Sequence, residues 1–280
     1  MYRIVMAVVI TVSLVCGLSV IPADAAKPIE FKLSLATPQG HHYSNGADFF
    51  KKRVEELTGN RIRINIYYSG QLTGDHRVAI EGVQLGTIDM TVSVGGALAG
   101  FDKRFMLFSF PYLFKDFDDG IATVDGETGK ELAKALERFN VKLLDWFVNG
   151  MYCIYNSKHP INSMADMKGL KIRTQESPLS VAVFRAWGAI PAVLPFGETF
   201  TAMQQGTIDG MENSDAAMYV NKYYEVQRYF AITHHCFLPA PLLMNMKKLN
   251  NLPEDLKAPF LQAVREAALF EREDYLRQAK

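Results

Sequence analysis

Cysteine is scarce in this sequence, with three among 280 residues. Cys16 falls in an apolar leader, which leaves Cys153 and Cys236, too few for a disulfide framework. Neither stands in a CxxC pair or a zinc-type spacing, so both read as buried thiols, with a single disulfide as the alternative. Net charge is also lacking. Thirty basic residues balance 30 acidic ones, which argues against the basic face that nucleic acid or an anionic membrane surface requires. A long apolar run occurs once, as IVMAVVITVSLVCGLSV behind Arg3. A basic residue, an apolar stretch and the small-residue site Ala23-Asp24-Ala25 are the layout of an export signal over 1–25, cleaved near Ala25. Retention as an anchor and lipidation at Cys16 are the alternatives, the latter disfavoured by Val15 where a small residue is needed. No second run of 18 apolar residues follows, so the remaining chain of about 255 residues is expected to be exported, soluble and long enough for two lobes.

Catalytic signatures are missing too. There is no G-x-S-x-G, no P-loop, no HExxH and no GxGxxG behind a strand. His41-His42 and His234-His235 are adjacent pairs, and neighbours on a strand point to opposite faces, so structural or surface roles are expected rather than metal ligation. Asp118-Asp119 reads as a solvated turn.

What is present is an alternation of strands and helices. FKLSLAT alternates Phe31, Leu33 and Leu35 with polar neighbours, as a half-buried strand does. Ala47, Phe50, Val54 and Leu57 share one face of a helix, with Ser44 placed to cap it and Gly59 to stop it. RIRINIYY predicts a strand, and a helix is expected from Asp75 to Gly86. TIDMTVSV, KLLDWFVNG and GLKIRTQ continue as strands, GKELAKALERFN as a helix, and SPLSVAVFRAWG as a helix with Ser177 at the cap and Pro178 in the first turn. This order predicts an α/β protein with a largely parallel sheet covered on both faces. Pro253 to Lys280 predicts one long helix burying Leu256, Phe260, Val264 and Leu276.

Two stretches nearly repeat: VQLGTIDM, with its glycine at Gly86, and MQQGTIDG, with Gly206. Their spacing is too long for a solenoid. In each, a helix ends at a glycine able to adopt the left-handed conformation, and Thr-Ile-Asp re-enters a sheet. One copy lies in each half of the chain, and the second runs into Met211-Glu212-Asn213 at a strand end, where ligands of such sheets bind. In GLKIRTQES, Leu170 and Ile172 alternate with Lys171 and Arg173. A guanidinium close to buried territory needs a partner, and two remain open for Arg173: a structural ion pair, or an anionic ligand matched by the planar fork of the side chain.

Several of these segments together carry a resemblance. ATPQGHHYSNGADFFKKRVEELTGNRIRINIYYSGQLTGDHRVAIEGVQLGTIDM resembles the amino-terminal lobe of the DctP-like solute-binding proteins of tripartite ATP-independent periplasmic (TRAP) transporters. FSFPYLFKD, ADMKGLKIRTQES, AWGAIPAVLPFGETFTAMQQGTIDGMENS and YYEVQRYFAITHH follow in the family's order. The resemblance implies a two-lobed periplasmic binding protein: lobe I over 26–149, lobe II over 150–238, and a return segment with the long helix over 239–280. The family continues some tens of residues further, so the chain is expected to stop short of the usual end.

By the same resemblance Arg173 falls on the arginine that grips a ligand carboxylate, Asn213 on the asparagine that positions it, Phe196 on an aromatic that packs on the ligand, and Glu176 on the loop behind the arginine. Asp75 and Ser93 are candidates from the first lobe. Many relatives carry a second arginine where this chain has Tyr152, which favours a sugar acid, a hydroxy or keto acid or an aromatic acid over a dicarboxylate. The implied partners are a small organic acid and the TRAP membrane subunits, with no cofactor, no metal and a monomeric state expected. Alternatives are a receptor serving a membrane sensor, or an exported enzyme using Glu176, His41 or Asp75 as general base.

Overall fold

The structure, a computed structural model, describes residues 27–280; the expected export signal and Cys16 lie outside the described residues. Strand β1 (Ile29–Ser34) buries Phe31 and Leu33 as the alternation requires. Helix α1 (His42–Leu57) buries Ala47, Phe50 and Val54. Its cap is His41 and not Ser44: the His41 Nδ1 accepts the Tyr43 N–H at 3.2 Å, while Ser44 lies inside the first turn and donates to the Pro38 carbonyl at 2.7 Å. Strand β2 (Ile62–Tyr67) follows, then α2 (His76–Leu85), capped by Asp75. After β3 (Met90–Val92), residues 95–109 form short 3-10 turns that lead to α3 (Phe117–Asp125) and α4 (Glu127–Leu136). Asp118 and Asp119 stand in the first turn of α3 rather than in a loop, where carboxylates favour the helix N-terminus.

Strand β4 (Val141–Asn156) is 16 residues long. Then come β5 (Lys171–Thr174), α5 (Pro178–Ala186) with the expected Ser177 cap, β6 (Ile190–Val193), α6 (Thr199–Gln204) and β7 (Gly210–Ser214). The chain closes with α7 (Asp215–Val220), β8 (Tyr229–Ala231), β9 (Phe237–Asn245), α8 (Met246–Asn250) and α9 (Glu254–Gln278).

The strands form one path, β2-β1-β3-β9-β4-β7-β5-β6, with β8 beside β4. The pairs of β1 with β2 and β3, and of β5 with β6 and β7, are parallel; β9 and β4 are antiparallel to each other and to every strand they meet. The sheet is therefore mixed, which corrects the expectation of a largely parallel one. The physical reason is that β4 runs from one half of the sheet into the other, and β9 returns antiparallel beside its first part. β4 pairs with β9 through Met151 and with β7 from Tyr152 onward. Helix α9 buries Leu256, Phe260 and Val264, but Leu276 is 45% exposed. Its buried stripe runs on through Tyr275, and the next residue is turned about 100° away from it.

The repeated Gly-Thr-Ile-Asp stretches do the same work twice. Gly86 and Gly206 have φ of 81° and 70°, which let the chain leave α2 and α6 without Cβ strain. Asp89 then accepts the Lys32 N–H of β1 at 2.6 Å, and Asp209 accepts the Lys171 N–H of β5 at 2.8 Å. Each aspartate so fixes the entry of its strand onto a parallel neighbour. A lysine neutralises each, Lys248 on Asp89 and Lys158 on Asp209. Cys153 and Cys236 are both free, buried thiols.

Candidate functional site

The two halves meet across a cleft at the carboxyl ends of β1, β5 and β7. The segment after β1 and the start of α1 bring Thr37, His41 and Tyr43; the start of α2 brings His76; β4 brings Asn149 and Tyr152; β5 and its exit bring Arg173 and Gln175; and Phe196 and Asn213 close the far side of a narrow cavity. A second cavity adjoins it toward the mouth, sharing Arg173, Gln175, His76 and Phe196 and adding Asp75 and Glu176.

Arg173 is the centre of this arrangement. Only 7% exposed, it donates from Nε and Nη2 to the Leu194 carbonyl at 3.1 and 3.0 Å. Its carbon stands 6.0 Å from the Phe196 ring centroid. Among the described residues no carboxylate forms an ion pair with it, and Glu212, whose charge acts on it, is bonded to His235 at 3.2 Å. A guanidinium held by a carbonyl, with charge uncompensated and N–H groups to spare, is costly unless an anion completes it.

Apart from Arg173, the walls combine the apolar Val94 and Phe196 with polar, uncharged groups. Burial, followed by the neighbouring His42 and His76, holds His41 well below the ordinary histidine range, and burial with the Arg173 charge lowers His76 to about 4. Burial and then Glu212 push the Tyr152 hydroxyl well above its usual value. The cavity therefore carries one permanent cation among neutral donors and acceptors. The Tyr43 hydroxyl and the Gln175 Oε1 are buried without a hydrogen-bond partner in the protein, which leaves both able to bond to something in the cavity.

Of the residues singled out from sequence, Arg173, Asn213, Tyr152 and Phe196 come together around the central cavity. Asp75 and Glu176 do not: they line the mouth, where Asp75 Oδ1 accepts the Arg77 and Val78 N–H groups at 2.7 and 3.1 Å and Glu176 pairs with Arg77 at 2.6 Å. Ser93 is fully buried beside Val94 and lines neither cavity. His41 and His42 are not on a strand; their rings stack at 4.1 Å at the start of α1, both buried, and His41 faces the cavity. Thr37, Tyr43, His76, Asn149 and Gln175 were missed. The position of Thr37 and Tyr43 just past the end of β1 is the available signal, by the rule that ligands sit outside carboxyl ends of strands.

The mouth is shut by direct contact. Gly197 N–H donates to the Gly74 carbonyl at 3.2 Å, Ser109 and Ser177 hydroxyls lie 3.0 Å apart, and Arg77 reaches Glu176. Among the described residues no three His, Cys, Asp or Glu side chains cluster to hold a metal ion, and no helix is long and apolar enough to cross a membrane.

Two α/β halves closing over a buried arginine define a ligand receptor of the two-lobed periplasmic binding class. Residues 33–280 match the family of bacterial extracellular solute-binding proteins, family 7, also called DctP. The chain belongs to this family, whose members serve TRAP transporters. It is 32% identical over 248 residues to the 2,3-diketo-L-gulonate-binding periplasmic protein YiaO of Escherichia coli, covering 89% of this chain and 75% of that one. Identity is also 32% over 269 residues to the C4-dicarboxylate-binding periplasmic protein DctP of Rhodobacter capsulatus, covering 95% and 79%. Its fold matches a TRAP periplasmic solute-binding protein from Polaromonas bound to D-erythronate, with a TM-score of 0.86 and 32% identity over 89% of this chain and 82% of that chain.

Proposed function

We propose that this protein captures a small monocarboxylate carrying hydroxyl or keto groups, without chemical turnover, and delivers it to TRAP membrane subunits after export with cleavage near Ala25. The observation that carries the reading is Arg173: a buried guanidinium with a carbonyl for a partner and no carboxylate. A ligand carboxylate supplies the missing charge. The uncharged opposite wall favours a sugar acid or a hydroxy or keto acid over a dicarboxylate, whose second charge would be desolvated there without a cation. The ligands of YiaO and of the Polaromonas protein support this preference, and the dicarboxylate of DctP is the competing class. Closure follows from a ligand touching both halves, since only contacts made better in the shut form favour it. Lobe limits of 26–149 and 150–238, with 239–280 returning across them, fit such a hinge.

Native mass spectrometry of the purified mature protein, with release and identification of any bound molecule, tests the reading. The expected result is one hydroxy or keto monocarboxylate per chain, or, from protein that emerges empty, thermal stabilisation by erythronate, hexonates or uronates. Stabilisation by succinate alone would refute the preference for a monocarboxylate, and stabilisation by no organic acid would refute the receptor reading.

A further inference from the structure

Asn149 stands in β4 at the second register shift, unpaired between Val148 and Gly150, and its side chain is held on both sides. The Ser214 hydroxyl donates to Asn149 Oδ1 at 3.2 Å, and Asn149 Nδ2 donates to the Tyr152 hydroxyl oxygen at 2.7 Å. All three residues are buried, and Asn149 and Tyr152 both line the central cavity with Arg173. A serine hydroxyl and an amide N–H feeding in one direction leave the tyrosine O–H with one task. Its oxygen is already accepting, so its proton points away from Asn149, and Tyr152 lines the same cavity as Arg173.

We infer that Asn149 is a positioning residue for ligand binding: the chain Ser214 to Asn149 to Tyr152 turns the tyrosine hydroxyl into an oriented donor for the ligand held at Arg173. The inference rests on the carboxylate-receptor reading above and deepens it. An oriented neutral donor supplies directional recognition without a second positive charge, so it suits an uncharged oxygen or a shared carboxylate and adds nothing for a second carboxylate. Tyr152 stays protonated at any working pH, because burial and then the Glu212 charge oppose its ionisation.

The test is a double-mutant cycle read by titration calorimetry with D-erythronate and galactonate, using wild type, Asn149→Leu, Tyr152→Phe and the pair. Loss of one hydrogen bond to a charged group corresponds to about ten- to a hundredfold in affinity, and that range is expected for Tyr152→Phe. Asn149→Leu should weaken binding in the same direction by a smaller factor. The paired variant should bind like Tyr152→Phe alone, since Asn149 acts through the hydroxyl. A structural role would instead give losses that multiply. Unchanged or tighter binding by Asn149→Leu overturns the inference, because it means the tyrosine proton is spent on Asn149 in the native site. Should Asn149→Leu fold poorly, Ser214→Ala removes the outer member of the chain and must also weaken binding, with an unchanged Kd overturning the inference. A wild-type protein that binds none of the organic acids overturns the receptor reading and the inference with it, whereas wild-type binding with multiplying losses overturns the inference alone.

Discussion

Replacing Arg173 by methionine separates the two roles open to a buried guanidinium. In a structural ion pair, deleting the cation strands a buried carboxylate and costs about 3–5 kcal/mol of stability. Here no carboxylate forms an ion pair with the arginine among the described residues: Glu212 is bonded through one oxygen to His235, and the arginine donates to the Leu194 carbonyl. The variant orphans that carbonyl, at about 1–3 kcal/mol, and removes the burden of burying an unpaired cation, an effect of several kcal/mol per ion. These terms offset, and methionine fills an irregular gap well, so ligand-free stability is expected to hold within ~1 kcal/mol or to rise. Affinity moves the other way. Truncating one partner of a buried charge pair costs about 2–5 kcal/mol, or roughly 30- to 4,000-fold in Kd. Urea unfolding of ligand-free protein and calorimetric titration with the acid that wild type binds supply the two readings. A variant that loses 3 kcal/mol or more of stability and keeps its affinity would falsify the assignment and make Arg173 a structural residue.

Closure at the mouth depends on Gly74 and Gly197, since a Cβ on Gly197 would meet the Gly74 Cα at 3.3 Å. Gly197→Val should hold the halves apart, losing the backbone bond and the Arg77–Glu176 contact for roughly 1–2 kcal/mol. About tenfold weaker binding and a larger radius of gyration in ligand-saturated X-ray scattering are expected, and identical scattering would exclude this contact as a determinant of closure. Affinity should be flat between about pH 5.5 and 9, since His41 is held far below its ordinary range and His76 at about 4, while Tyr152 is pushed up. A histidine titrating normally would add a cation beside the bound anion as pH falls, so binding that tightens below pH 6.5 counts against the neutral wall. His42 and Glu271 lie 2.7 Å apart with both side chains fully buried; burial lowers the histidine to about 3 and raises the glutamate, so the pair is neutral. Glu271→Gln, which keeps one acceptor and one donor, should change stability by less than ~1 kcal/mol in urea unfolding, whereas an ionised pair would lose about 3–5.

The outer strands were legible because each has one covered face, so Phe31 and Leu33 alternate with Glu30 and Lys32. The same alternation exposed Arg173 as the odd residue of β5, buried next to the exposed Lys171. In the middle of the sheet that signal vanishes. Residues 146–156 of β4 and all of β9 are buried on both faces, so no periodicity remains to read. β9 also carries Pro239 and Pro241, which ordinarily argue against a central strand. They are tolerated here opposite Val148 and Trp146, between the register shifts of β4. Those shifts also aim Asn149 into the cavity, and no local pattern in FVNGMYC carries that information. Asp75 shows the converse error: a carboxylate near the cleft looked available to a ligand, but its oxygen is spent capping α2.

The strong charges are treated differently at the strand junctions and in the cleft. At the two repeated junctions every strong charge is answered, Asp89 by Lys32 N–H and Lys248, Asp209 by Lys171 N–H and Lys158. Each half is thereby fixed internally, and the sheet is continuous between them only through β4. In the cleft the reverse holds: Arg173 lacks an anion, and Tyr43 Oη and Gln175 Oε1 lack partners. A site designed only for stability would not keep three such groups buried together. On the function proposed above, their cost is recovered when one ligand satisfies all of them at once. Because Tyr43 comes from the segment after β1 and Arg173 and Gln175 from β5 and its exit, that recovery is available only with both halves in place, which ties binding energy to closure.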